Sequence, residues 1–187
     1  MSMLIIKGED SFYTSVAKAL TEIDPSWEKY DGLIIVGSHK PATDILLEDA
    51  LKRIKMAREA DVPVLGLCMG MQLMAIEYAR NVMGIEDATS EEIGSGTHVV
   101  EKLANLRVGI KQVKGRMESH WHNYGISYEW AQRLHDFDIT IGDGVVEEMR
   151  LRKNLFYMGV QYHPEYQSSA KNPHPLLVDF LNKCKSE

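Results

Sequence analysis

The chain has two cysteines, Cys68 and Cys184, too few for a disulfide framework or a four-thiolate zinc site. It lacks any cluster of lysine and arginine, and its formal net charge of −6 argues against nucleic acid or an anionic membrane as the main partner. No apolar run approaches the roughly 20 residues that a membrane-spanning helix needs. The opening Met1-Ser2-Met3-Leu4-Ile5-Ile6 meets Lys7 too soon to form a signal peptide. No Gly-x4-Gly-Lys-Ser/Thr loop is present, and no repeat, low-complexity tract or linker divides the chain. These absences leave small molecules and other proteins as partners, and one domain over residues 1–187.

With 44% hydrophobic and 26% charged residues, the composition is that of an ordinary globular domain with length enough for one core. Strands are expected at Met3 to Ile6, Gly32 to Val36, Pro63 to Leu67 and Leu155 to Gln161. Helices are expected at Ser11 to Ile23, Thr43 to Ala60 with Thr43 as cap, Met69 to Met83 and Pro175 to Cys184. Residues 92–115 and 139–150 read as short strands and hairpins punctuated by glycine. Strands alternating with helices imply an α/β, doubly wound, mostly parallel sheet flanked by helices. Active sites in such sheets lie at the carboxyl ends of strands, where Gly37, Cys68 and His163 all fall.

The segment Pro63-Val64-Leu65-Gly66-Leu67-Cys68-Met69-Gly70-Met71-Gln72 reads as an apolar strand turning through Gly-x-Cys-x-Gly into a helix. The flanking glycines allow a close-packed turn that bulkier neighbours would block, and Cys68 stands at a helix N-terminus, where partial positive charge favours a thiolate. A cysteine there can also be a packed hydrophobe, which is the reading adopted for Cys184 on the apolar face of the last helix. Far downstream, Gln161-Tyr162-His163-Pro164-Glu165 ends a strand. Pro164 holds His163 extended, so Glu165 two residues on is expected to point the same way and to orient the imidazole. Cys68, His163 and Glu165 then make a nucleophile, base and orienter. The His120-x-His122 pair lacks the partners of a zinc set and reads as a pocket-lining or surface strand.

Taken together, the G-x-C-x-G-x-Q and H-P-E motifs resemble those of the class I glutamine amidotransferase family, and more narrowly the glutaminase domain of CTP synthase. Gly84 to Glu92, Gly94-Ser95-Gly96-Thr97 and Pro173-His174-Pro175-Leu176 extend the likeness over nearly the whole chain. The resemblance implies a flavodoxin-like three-layer fold, no cofactor and no metal. It implies an oxyanion hole from the N–H of Met69 and one from Gly37 or Ser38, in a loop that keeps only the first of the family's glycines. It places Gln72 and Glu92 at the substrate, with Glu92 on the ammonium of glutamine. Asn123 stands where the family carries an arginine for the substrate α-carboxylate, and His122 and Tyr124 flank it. His39 and Lys40 would stand at the pocket mouth or in solvent.

The leading expectation is a stand-alone, cytoplasmic hydrolase that releases ammonia from glutamine through a cysteine thioester. Its implied partner is a separate ammonia-accepting synthetase subunit, with a homo-oligomer left open. Two alternatives stand beside it. One is an amidase or γ-glutamyl hydrolase acting on another small amide; the other is a catalytically silent binding module.

Overall fold

A computed structural model describes residues 4–6, 10–38 and 44–185. Thr43, expected as a helix cap, and His39 and Lys40 lie outside the described residues. Strands β1 (Leu4–Ile6), β2 (Leu33–Ile35) and β3 (Val64–Leu67) alternate with helices α1 (Asp10–Ile23) and α2 (Asp44–Glu59), and β3 runs directly into α3 (Met69–Asn81). There follow β4 (Ala88–Ser90), β5 (Thr97–Val113), β6 (Arg116–Gly125), the single turn α4 (Tyr128–Ala131), β7 (Phe137–Gly142), β8 (Val145–Leu151), β9 (Tyr157–Val160) and α5 (Pro175–Cys184).

Six strands form the central sheet in the order β1-β2-β3-β9-β8-β7. The pairings among β1, β2, β3 and β9 are parallel, whereas β8 and β7 join antiparallel. Because successive residues of a strand face opposite ways, runs that are apolar at every position must be covered on both sides. Leu33, Ile35, Val64 and Tyr157 pack with α2 and α3, while Ile34, Val36, Leu65, Leu67 and Val160 pack with α1 and α5. The result is the expected three-layer α/β arrangement with a core on each face. Between α2 and α3 the apolar packing is interrupted by a buried bidentate pair, Arg58 to Glu77, at 2.9 and 2.8 Å.

The middle of the chain departs from the expected short strands. β5 alone is 17 residues long and pairs first with β4 and then, from Glu101 onward and across an irregularity between Lys102 and Arg107, with β6. The turns Lys114-Gly115 and Asp143-Gly144 have positive φ at both residues, the geometry that matches the twist of a tight hairpin. Buried contacts to carboxylates pin the β5–β6 hairpin to the main sheet and to α5. Arg107 and His120 both bond Glu147 of β8, the latter at 2.8 Å, and His174 at the start of α5 bonds Glu118 at 3.0 Å. Held this way, β6 carries residues 121–124 to the carboxyl ends of β3 and β9. Among the described residues, no helix is long and apolar enough to cross a membrane.

Candidate active site

Cys68 caps the N-terminus of α3 with φ 53° and ψ −108°, a conformation that costs a non-glycine residue about 1–3 kcal/mol. Its surroundings hold it there. The Cys68 N–H donates to the Val160 carbonyl at 2.8 Å, and the Cys68 carbonyl accepts from Met71 and Gln72 at 3.1 and 3.4 Å. The flanking glycines serve close approach: neither has positive φ. A Cβ on Gly70 would lie 2.2 Å from the Ile35 carbonyl oxygen, and one on Gly66 would lie 2.4 Å from the Met74 sulfur. Gly159 of β9 is as tightly covered, by Met71. Helix α3 therefore seats its first turn against the backbone of β2, β3 and β9, and the sulfur, on a residue only 5% exposed, stands over their ends.

His163 follows β9 and is fixed by its own N–H, which donates to the Ser119 carbonyl of β6 at 2.9 Å. Its ring lies between Phe12, stacked at 5.1 Å, and Tyr166, at 5.4 Å. Nδ1 donates to Glu165 Oε1 at 2.8 Å. Glu165 reaches it by a route other than the expected extended segment, because Pro164–Gln167 forms a 3-10 turn. Proline at the first position of a turn has its φ already set and no N–H to lose, so the residue that excludes a longer helix starts this short one. Nε2 of His163 is buried and, among the described residues, faces the Cys68 sulfur, which is near enough to act on the ring's charge. Burial pushes the imidazole pKa down, but the sulfur and the Glu165 carboxylate outweigh it and raise it to about 10.

The Gly37 backbone closes the other side. A Cβ there would sit 3.0 Å from His163 Cε1 and in ordinary contact, 3.5 Å, with Cys68 Cβ, so any side chain at this position pushes on the His163 ring. Neither Gly37 nor Ser38 takes positive φ, so the second glycine is not demanded by backbone conformation. Ser38, Cys68, Met69, Gln72, Glu92, Leu106, Trp121, His122, Asn123 and Tyr124 line one pocket. It brings together the expected substrate-side residues; Leu106 and Trp121 are additions.

Within that pocket the polar groups differ in character. Gln72 is buried and its amide donates to the Tyr124 carbonyl at 3.0 Å. His122 is buried too; its Nδ1 donates to the same carbonyl at 2.8 Å, and Nε2 has no partner among the described residues. Burial drives the His122 pKa down to about 3, which leaves a neutral ring offering an acceptor. Glu92 is half-buried, and burial raises its pKa. Asn123 is exposed at the wall. The His120 ring, 5.8 Å from that of His122, is engaged by the Glu118 carbonyl and Glu147, and no three potential metal ligands converge among the described residues. Gln161, fully buried with Nε2 at 3.5 Å from the Cys68 sulfur, was absent from the sequence-based set; the available signal was an amide in an otherwise apolar strand run.

The arrangement has counterparts. The model of the glutamine amidotransferase class-I family matches residues 9–183. A CTP synthase of Methanoculleus marisnigri is 34% identical over 183 residues, covering 83% of this chain and 34% of that protein. One of Flavobacterium psychrophilum is 32% identical over 166 residues, covering 72% and 31% respectively. The chain thus spans about a third of the length of these curated relatives. In fold it is similar to the glutaminase domain of Trypanosoma brucei CTPS with bound acivicin, at a TM-score of 0.78 and 20% identity, covering 97% of this chain and 92% of that one. By sequence and by architecture, the chain belongs to the class I glutamine amidotransferase family.

Proposed function

We propose that residues 1–187 act as a single amidotransferase-like domain that hydrolyses the side-chain amide of glutamine, with Cys68, His163 and Glu165 as its triad. The observation that carries this reading is the buried His163 ring, held by Glu165 at 2.8 Å with its other nitrogen on the side of the Cys68 sulfur. His163 takes the thiol proton and the sulfur attacks the amide carbon, forming an S–C bond as the carbonyl pair moves onto oxygen. N–H groups of Met69, the first residue of α3, and of Gly37 or Ser38 receive that oxyanion. Collapse breaks the C–N bond, and His163 gives its proton to the leaving ammonia. Water, deprotonated by His163, then attacks the thioester, releasing glutamate and restoring the thiol.

Glu92, His122 and Gln72 would face the amino end of the substrate, with the Tyr124 carbonyl supporting His122 and Gln72. The ammonia would pass to a synthetase, as the likeness to CTP synthases suggests, and a free thiol at Cys68 suits the cytoplasm. A second reading, an amidase for an amide without a free α-carboxylate, is favoured by one observation. Among the described residues lining the pocket there is no lysine or arginine, and Asn123 is neutral. The test is ammonia release from glutamine, asparagine, γ-glutamyl amides and glutamine with its α-carboxylate blocked, with Cys68→Ala as control. Turnover of glutamine lost in Cys68→Ala supports the first reading. Preference for the blocked compound supports the second, and silence on all of them removes both.

A further inference from the structure

We propose that Gln161 is a catalytic residue that donates a hydrogen bond from its side-chain amide to the Cys68 sulfur, its polarity imposed by Gln72 and the Tyr124 carbonyl. The inference rests on the reading of Cys68 as nucleophile.

An amide side chain has a donor end and an acceptor end of nearly the same shape, so its direction is decided by its neighbours. Here the decision propagates from a group that cannot reverse. The main-chain oxygen of Tyr124 only accepts, so the Gln72 atom 3.0 Å from it is the NH2 group. That NH2 group also lies 3.3 Å from the Gln161 side chain, which must therefore turn its oxygen toward Gln72. The remaining end of Gln161 is its own NH2 group, 3.5 Å from the sulfur. Gln161 is fully buried, and its backbone N–H is held by the Glu147 carbonyl at 2.8 Å. Neither water nor backbone motion offers the amide an easy alternative.

A donor aimed at sulfur interacts weakly with a thiol and more strongly with a charged sulfur. Gln161 therefore acts in the two steps in which charge rests on sulfur. Before attack it holds the sulfur against the strand end and favours its charged form. In the second half of the reaction, the C–S bond breaks, the electron pair returns to sulfur, and the Gln161 N–H donates to that charged sulfur. During the thioester stage, when the sulfur carries no charge, the contact is weak. The His122 ring, bonded to the same Tyr124 oxygen, braces the far end of the chain of amides.

The experiment is alkylation of the 187-residue chain by iodoacetamide near neutral pH, with Cys68 and Cys184 resolved by peptide mapping. Cys184 is the internal reference, its thiol buried in α5 and its pKa pushed up to about 12 by that burial. Gln161→Met keeps length and removes the donor; Gln161→Glu keeps shape and replaces the donor with an acceptor. Loss of one hydrogen bond to a charged group predicts that Cys68 alkylation slows about 10- to 100-fold in both, with Cys184 unchanged. Gln72→Met, which frees Gln161 to reverse, gives a smaller slowing. In glutamine turnover the same Gln161 variants lose kcat while KM stays within about twofold. Wild-type alkylation of Cys68 in either Gln161 variant that retains the wild-type circular dichroism spectrum overturns the proposal. A wild-type protein that alkylates rapidly at Cys68 but releases no ammonia from any amide removes the reading under Proposed function, and the alkylation comparison still decides the role of Gln161.

Discussion

Replacing Gly70 by alanine tests whether the seat of helix α3 sets the geometry at Cys68. The added Cβ would lie 2.2 Å from the Ile35 carbonyl oxygen and 2.9 Å from the Ile35 carbonyl carbon, where ordinary contact begins at 3.4 Å. The obstacle is backbone, and Ile35 is paired on both sides, with Ile6 of β1 and Gly66 of β3. It cannot swing aside as a side chain would, so the first turn of α3 must lift by about 1 Å, the shortfall in that contact. Overpacking of this kind costs about 1–3 kcal/mol. For a chain of this length that corresponds to a fall in melting temperature of about 2–12 °C. The same lift separates Met69 from Gly37, and a displacement near 1 Å at reacting groups costs about 100-fold in rate. Thermal unfolding followed by circular dichroism, together with the Cys68 alkylation rate and glutamine turnover, reads both effects. Gly94→Ala is the control, because a Cβ there meets nothing within 4 Å and the residue has no positive φ. A Gly70→Ala protein that melts within 1 °C of wild type and alkylates at the wild-type rate would refute the reasoning.

The two perturbed histidines predict opposite limbs of a stability profile. His163, raised to about 10 from 6.5, adds stability that is full below about pH 6.5 and is lost as pH rises toward 10. His122, lowered to about 3 from 6.5, adds stability that is present above about pH 6.5 and is lost as pH falls toward 3. Urea midpoints across pH 4–10 should peak near neutrality, His163→Gln should flatten the alkaline limb, and an unchanged limb would contradict the assignment. Arg58→Met leaves the fully buried Glu77 carboxylate without its cation, with Tyr157 Oη at 3.5 Å as its remaining side-chain donor among the described residues, and should cost about 3–5 kcal/mol in urea unfolding. A loss under about 1 kcal/mol would mean that Glu77 finds water or takes up a proton without strain. Asn123→Arg places a permanent cation at the pocket wall and should lower the KM for glutamine about tenfold with little change in kcat; an unchanged KM would show that the α-carboxylate binds elsewhere.

Much of this protein was legible along the chain because the signals are local. An apolar strand, a cysteine between glycines and a helix pattern lie within ten residues, and β3, Cys68 and α3 follow that reading. The last helix begins at Pro175 and ends at Cys184 as its apolar spacing required, and its buried face is Leu176, Leu177, Phe180, Leu181 and Cys184. The unbroken apolar strands announced a sheet covered on both faces. Strand β4, the length of β5 and the 3-10 turn at Pro164 were less legible, since a strand's length depends on what it pairs with and a turn's shape on what surrounds it.

The sequence by itself determined the residue types available for chemistry and their order, because a nucleophile elbow and a His-Pro-Glu end are written in consecutive residues. Tertiary structure alone decided which groups converge. Glu147, Glu118 and Arg107 read as ordinary surface charges in one dimension, yet they lie buried as the ties of the β5–β6 hairpin, since long-range pairing supplies the partners that make burial tolerable. Gln161 carried no spacing signal toward Cys68, 93 positions away. Its contact with the sulfur exists because β3 and β9 are neighbours in the sheet, and its direction exists because Tyr124 arrives from a third strand with an oxygen that can only accept.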